Sequence, residues 1–143
     1  MTVFIRIVVA YNHTPSAQRA LAAAVRLARE QDETELIAIA VERSLVLSGV
    51  TITEVRAVHQ ARERICADWL SEALAYVDAH GIPLRTEIRI GPVARQLAAA
   101  AATHRADLVI LGRSDQDLAR RRLLGSIADQ VSRRTRCPVM IVP

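Results

Sequence analysis

The sequence contains no lysine: all nineteen of its basic residues are arginine. The formal net charge of +4 and a pI of about 10.0 could suit an anionic partner. Arginine is interspersed with Asp and Glu in most segments, however, and alanine is abundant. The bias therefore reads as compositional rather than as a polyanion-binding surface. Aromatic residues make up only 3% of the chain. That is too few for the stacking platforms of single-stranded nucleic-acid binding, and nucleic acid is not an expected partner.

Cysteine is equally sparse. Cys66 and Cys137 lie far apart and match no CxxC or zinc spacing, so free thiols are expected rather than a disulfide or a metal centre. Cys66 falls in an apolar helical stripe and reads as core, and Cys137 before Pro138 reads as structural. No apolar run approaches the roughly 18 residues of a membrane span. The opening MTVFIRIVVAYN lacks the basic flank and small-residue cleavage site of a signal peptide. It reads as a first strand, and a cytoplasmic protein is expected. GxxxxGK[ST], GxGxxG and GxSxG are all missing, and no histidine is placed by sequence to activate Ser126. His13, His59, His80 and His104 have no metal-ligand spacing; His13 reads as an exposed loop residue without a partner.

What is present is an alternation. The 143 residues, 51% apolar, fit one domain over residues 1–143 with enough apolar content for its own core. Residues 3–10 (VFIRIVVA) and 35–41 (ELIAIAV) are nearly continuous β-branched or apolar runs, as in strands buried on both faces. Between them Thr14 predicts an N-cap, with Pro15 at the first helical position and an apolar stripe running to about Arg29. After an irregular stretch, residues 42–53, the spacing predicts a long helix over 54–80. Its stripe is Val55, Val58, Arg62, Ile65, Trp69, Ala73 and Val77, with Trp69 as core and Gly81 closing the helix. Residues 84–90 (LRTEIRI) alternate with one polar face, which predicts a half-buried strand near a sheet edge. An alanine-rich helix over 93–104, a strand at 108–111, a helix after Gly125-Ser126 and a strand at 139–142 complete the order. Strands alternating with helices imply an α/β fold: a five-stranded open parallel sheet with helices on both faces. Ligands of such sheets bind beyond the carboxyl ends of the strands, where strand order reverses.

At that end lies Gly112-x-x-Asp115-x9-Gly125-Ser126. Two local readings stand. Gly112 ends a strand and Ser126 caps a helix, or the two mark a backbone anion site at a helix N-terminus.

The stretches VVAYNHTPSAQRAL, ADLVILG and GRSDQDLARRRLLGSIADQVSRRTRCPVMIVP together resemble the universal stress proteins of the UspA superfamily over nearly the whole chain. The last of these resembles the family signature GxxG-x9-G[ST] followed by a closing helix and strand. The resemblance implies the five-stranded Rossmann-like fold of the adenine nucleotide alpha hydrolases, and an adenine nucleotide such as ATP or AMP as ligand. Mg2+ would accompany the ligand only if it is ATP. Carried over by position, it implies that Ala10, Tyr11, Asn12 and Val41 face adenine and ribose. Leu111, Gly112, Gly125, Ser126 and Ile127 then face ribose and phosphates. It also implies a homodimer paired through the closing strand, and a stress-response sensor or regulator rather than a fast enzyme. No general base or metal-binding carboxylate pair stands out in the loop, so hydrolysis of ATP is expected to be weak at most.

The chain departs from the signature at two places. Asp115 stands where the second glycine belongs, and Asn12 where an aspartate is usual. A carboxylate about 4 Å from a phosphate costs on the order of 1 kcal/mol even in water. Against it stand Arg113 and Arg120, Arg121 and Arg122, which can pair with Asp115 or take over phosphate contacts. The alternative reading is a nucleotide-free protein that works through dimerisation and protein contacts because Asp115 blocks the phosphate subsite.

Overall fold

A computed structural model describes residues 4–43, 49–113 and 126–143. Nine elements alternate in these residues: β1 (Arg6–Ala10), α1 (Pro15–Glu30), β2 (Glu35–Glu42), α2 (Ile52–Asp78), β3 (Leu84–Ile90), α3 (Val93–Thr103), β4 (Leu108–Gly112), α4 (Ile127–Arg134) and β5 (Val139–Val142). The strands form one parallel sheet in the order β3-β2-β1-β4-β5. The α/β architecture expected from the alternation is therefore the one observed, with β3 at an edge as its polar face predicts.

Each central strand is apolar on both sides because both sides are covered. Ile7 and Val9 of β1, with Leu108 and Ile110 of β4, pack under α1 against Ala20, Leu21, Ala24 and Val25. Val8, Ile37, Ile39, Val109 and Leu111 point the other way, onto Leu97 and Ala100 of α3 and Val131 of α4. A third cluster joins Ala38 and Ala40 of β2 to Cys66 and Leu70 of α2. Small side chains at these contacts let helix and sheet approach closely.

Element boundaries differ from the sequence expectation in instructive ways. The apolar run starts at residue 3, but pairing begins at Arg6, which lies opposite Glu35, and Ile5 is exposed. Asp107 Oδ2 fixes this start by accepting from the Ile5 and Arg6 N–H groups at 2.9 and 2.8 Å. Gln31 clasps the Phe4 backbone through both ends of its amide. α2 begins at Ile52 rather than 54, because Thr51 and Glu54 form a reciprocal capping box at the helix start. Its buried line runs through Cys66, Leu70, Ala73 and Val77, while Ile65 is 48% exposed, so the stripe read from the sequence is out of phase in the middle of the helix. The helix closes at Gly81, φ +72°, with Ile82 N–H donating back to Val77 and Gly81 N–H to Asp78.

On the polar face of β3 Arg85 is exposed, but Glu87 and Arg89 are held. Glu87 accepts from His104 Nε2 at 2.7 Å, and Arg89 bonds both Glu87 and Gln96. Among the described residues, no helix is long and apolar enough to cross a membrane.

Candidate functional site

The strand order places the reversal point between β1 and β4. From β1 the chain winds outward through β2 and β3, then returns to the other flank of β1 as β4. Loops leaving β1 and β4 therefore diverge, and a crevice opens between their carboxyl ends. A cavity of about 670 Å³ fills that crevice and spreads toward the end of β2. Its size is that of small-molecule and cofactor sites.

Ala10, Tyr11, Asn12, Val41, Leu111, Gly112, Arg113 and Ile127 all border the cavity. Ser126 does not; it is buried and caps α4, its Oγ accepting from the Asp129 N–H at 3.1 Å. Asp115 and Gly125, like Arg120, Arg121 and Arg122, lie outside the described residues.

The β1–α1 turn is built from its own polar side chains. Asn12 Oδ1 accepts from the Thr14 hydroxyl at 2.8 Å, and Thr14 Oγ1 in turn accepts from the Ala17 N–H at 3.2 Å. With Pro15 supplying no N–H, the first turn of α1 has little backbone donor capacity left for an anion. His13 sits in the left-handed region at φ +62° and pairs through Nδ1 with Glu72 of α2. The partner that the sequence alone left unassigned comes from a helix remote in sequence. Tyr11 is buried under α1 and α2. Burial chiefly, with the Glu72 charge, raises its phenol pKa, and a hydrogen bond with Gln18 opposes this.

Gly112 has a steric reason to be glycine. A Cβ there would lie 2.4 Å from the Ser16 carbonyl carbon and 2.7 Å from the Ala17 N, both backbone atoms of α1. The close approach is thus to the first turn of α1, which the absent side chain lets sit directly on the end of β4. The Arg113 N–H then donates to the Val142 carbonyl at 2.8 Å, tying the start of the following loop to β5.

The remaining wall is α2, which sequence reading assigned to the core. Arg62, Ile65, Cys66 and Trp69 all border the cavity. They fall at i, i+3, i+4 and i+7, the spacing of one helix face, and that was the available signal. Trp69 does both jobs, since it also packs on the core beneath. Cys66 is unsuited to nucleophilic chemistry: burial, then the Glu42 charge, pushes its thiol pKa up, with Arg62 opposing. Glu42, at the end of β2, is buried and also borders the cavity. Among the described residues it is the one acid in the lining, against the arginines Arg19, Arg43, Arg62 and Arg113. Arg19 donates Nε to the Pro143 carbonyl, and Arg62 a guanidinium N–H to the Arg43 carbonyl. No cluster of His, Cys, Asp and Glu able to hold a metal ion occurs among the described residues.

Known proteins match this fold and the sequence together. The universal stress protein family profile matches residues 4–143. A curated universal stress protein of Methanocaldococcus jannaschii is 34% identical over 62 residues, covering 43% of this chain and 36% of that relative, so the match spans about a third of the relative's length. Among solved structures, a universal stress protein in complex with cAMP superposes with a TM-score of 0.77 at 23% identity, covering 98% of this chain and 97% of the other. An Arabidopsis thaliana universal stress protein family protein with AMP bound gives 0.71 at 16% identity, covering 96% and 90%. On a profile match that runs from Phe4 to the last residue, this chain belongs to the universal stress protein family.

Proposed function

We propose that the cavity binds an adenine nucleotide, and that the protein acts through this binding as a sensor or regulator in a stress response. The carrying observation is the cavity at the β1/β4 reversal point, lined by both apolar side chains and arginines. Trp69, Val41 and Leu111 give a flat base apolar surface to lie against. Arg19 and Arg113 supply the charge for phosphate near the start of α1, where the capped backbone offers few donors. Bound AMP and cAMP in the two structures of the same fold support this choice of ligand. If the ligand is ATP, Mg2+ comes with the phosphates. The role is binding, with at most slow hydrolysis.

The test is a thermal-shift series with AMP, cAMP and ATP on protein stripped of bound ligand. Saturable stabilisation is expected, approaching about 2.7 kcal/mol at a hundredfold excess over Kd. No shift with any of the three, together with a gain of binding in Asp115→Gly, would overturn this reading in favour of a nucleotide-free protein.

We further propose a homodimer through β5. This edge strand carries Ile141 at 43% exposure with Val139, Met140 and Val142 partly buried, and its outer side has no neighbouring strand among the described residues. Sedimentation should give a dimer, and Ile141→Arg should shift it toward monomer.

A further inference from the structure

The backbone of His13, in the turn between β1 and α1, is held in the left-handed region at φ +62°. For a residue with a Cβ that region is uncommon and costs energy. Such conformations persist where the surrounding structure over-determines them. Here the holding contacts are visible. Asn12 Oδ1 braces the turn from within, accepting from the Thr14 hydroxyl and N–H. From outside the turn, Glu72 of α2 pairs with His13 Nδ1. An ionised carboxylate only accepts hydrogen bonds, so Nδ1 carries the proton in this pair.

The place of Glu72 on α2 gives the pair its meaning. It stands three residues after Trp69, which is the spacing of one helix face, and Trp69 borders the cavity. His13 directly follows Tyr11 and Asn12, which border the cavity from the β1 side. The pair therefore joins the two elements that carry these walls, while His13 and Glu72 themselves stand outside the lining. At its other end the α2 wall is tied to β2, where His59 Nδ1 bonds Glu42 Oε1 at 2.8 Å. Arg62, Ile65, Cys66 and Trp69, the α2 residues that border the cavity, all lie between these two ties.

We infer that Glu72, acting through His13, is a positioning residue for the ligand: it fixes the spacing between the β1–α1 turn and the α2 face that carries Trp69. This rests on the nucleotide reading above and goes beyond it, because it gives the shape of the site to a pair of side chains that touch no ligand. The pair acts on the fit of base and ribose between Tyr11, Asn12 and Trp69, not on the phosphate.

Calorimetric titration with AMP, and with adenosine, which lacks the phosphate, tests this in the wild type, His13→Gly, Glu72→Ala and the double variant. Glycine takes up φ +62° without strain, so His13→Gly should keep or raise the urea midpoint. Both ligands should nevertheless bind it about threefold more weakly, the size of effect that a half-exposed ion pair gives. Glu72→Ala should show the same loss, and the double variant no more than the larger single one, because all three break one contact.

Wild-type affinity for both ligands in either single variant overturns the proposal and leaves nucleotide binding standing. So does a loss confined to AMP, which would make His13 a phosphate contact. A urea midpoint that falls together with the affinity in His13→Gly reduces the pair to a stability contact and also overturns it. No binding of either ligand to the wild type overturns both readings together.

Discussion

The carboxyl ends of β4 and β2 border one cavity but are built on opposite principles. At the end of β4 a side chain is missing: Gly112 lets the backbone of α1 rest within what would be Cβ contact. At the end of β2 a side chain is buried where charge is costly, and one of its oxygens is left without a partner. The first end sets the shape of the crevice through backbone packing. The second places a buried negative charge beside it. The two ends should therefore respond differently to substitution.

The largest effect is expected at Gly112. In Gly112→Val the new side chain meets the Ser16 and Ala17 backbone, which cannot rotate away, and α1 must shift. A loss of about 3 kcal/mol, the upper range for overpacking, should appear in urea denaturation. A Gly112→Val protein of unchanged stability would show that α1 is not seated on β4 as described.

Next in size is His59→Ala. It removes the donor to Oε1 and leaves both Glu42 oxygens without an observed partner, at a cost of about 2 kcal/mol by the same measurement. A far smaller loss would mean that Glu42 swings out to solvent, and the contrast between the two strand ends would shrink to packing alone.

The smallest expected effect is alkaline. Burial raises the thiol of Cys66 above its ordinary value of 9.0, and the Glu42 charge adds to this. A raised pKa means that the folded protein holds the proton more tightly than the unfolded chain. Its contribution is therefore fully present below about pH 9 and is lost as pH rises from there through the folded value. The urea midpoint should drift down above that pH, and less steeply in Cys66→Ala. A midpoint that is flat to pH 10, or a Cys66→Ala slope equal to wild type, would place the thiol in a wetter setting.

The architecture was legible because its cause is local. Runs such as ELIAIAV are apolar on both faces, and only a covered parallel strand uses them. The polar alternation of LRTEIRI likewise announced an edge. The Thr14 and Ser126 caps were also visible, since a cap is read from a few adjacent residues. The α2 wall was not. Arg62, Cys66 and Trp69 become cavity residues only once the strand order decides what that helix face overlooks. Over a 27-residue helix, amphipathic spacing also loses phase, so Ile65 is exposed where the stripe expected it buried, while Cys66 is core as expected. Glu42 was the hardest to see. A charge after an apolar run reads as a strand meeting solvent, and its burial comes from α2, a separate element. The same holds for Glu72 as the partner of His13.

The ties at the far end of the sheet have a practical consequence. Asp107 holds the Ile5 and Arg6 amides, and the Glu35 and Asp107 amides donate to the Ile5 and Arg6 carbonyls. All lie at the amino ends of the strands, a strand length of roughly 17 Å from the cavity for five residues. In hydrogen-exchange experiments these four amides form a built-in reference whose rates should not move when the cavity is occupied. Slowing at the Tyr11 and Arg113 amides, read against that reference, separates occupancy of the site from a general stiffening of the protein.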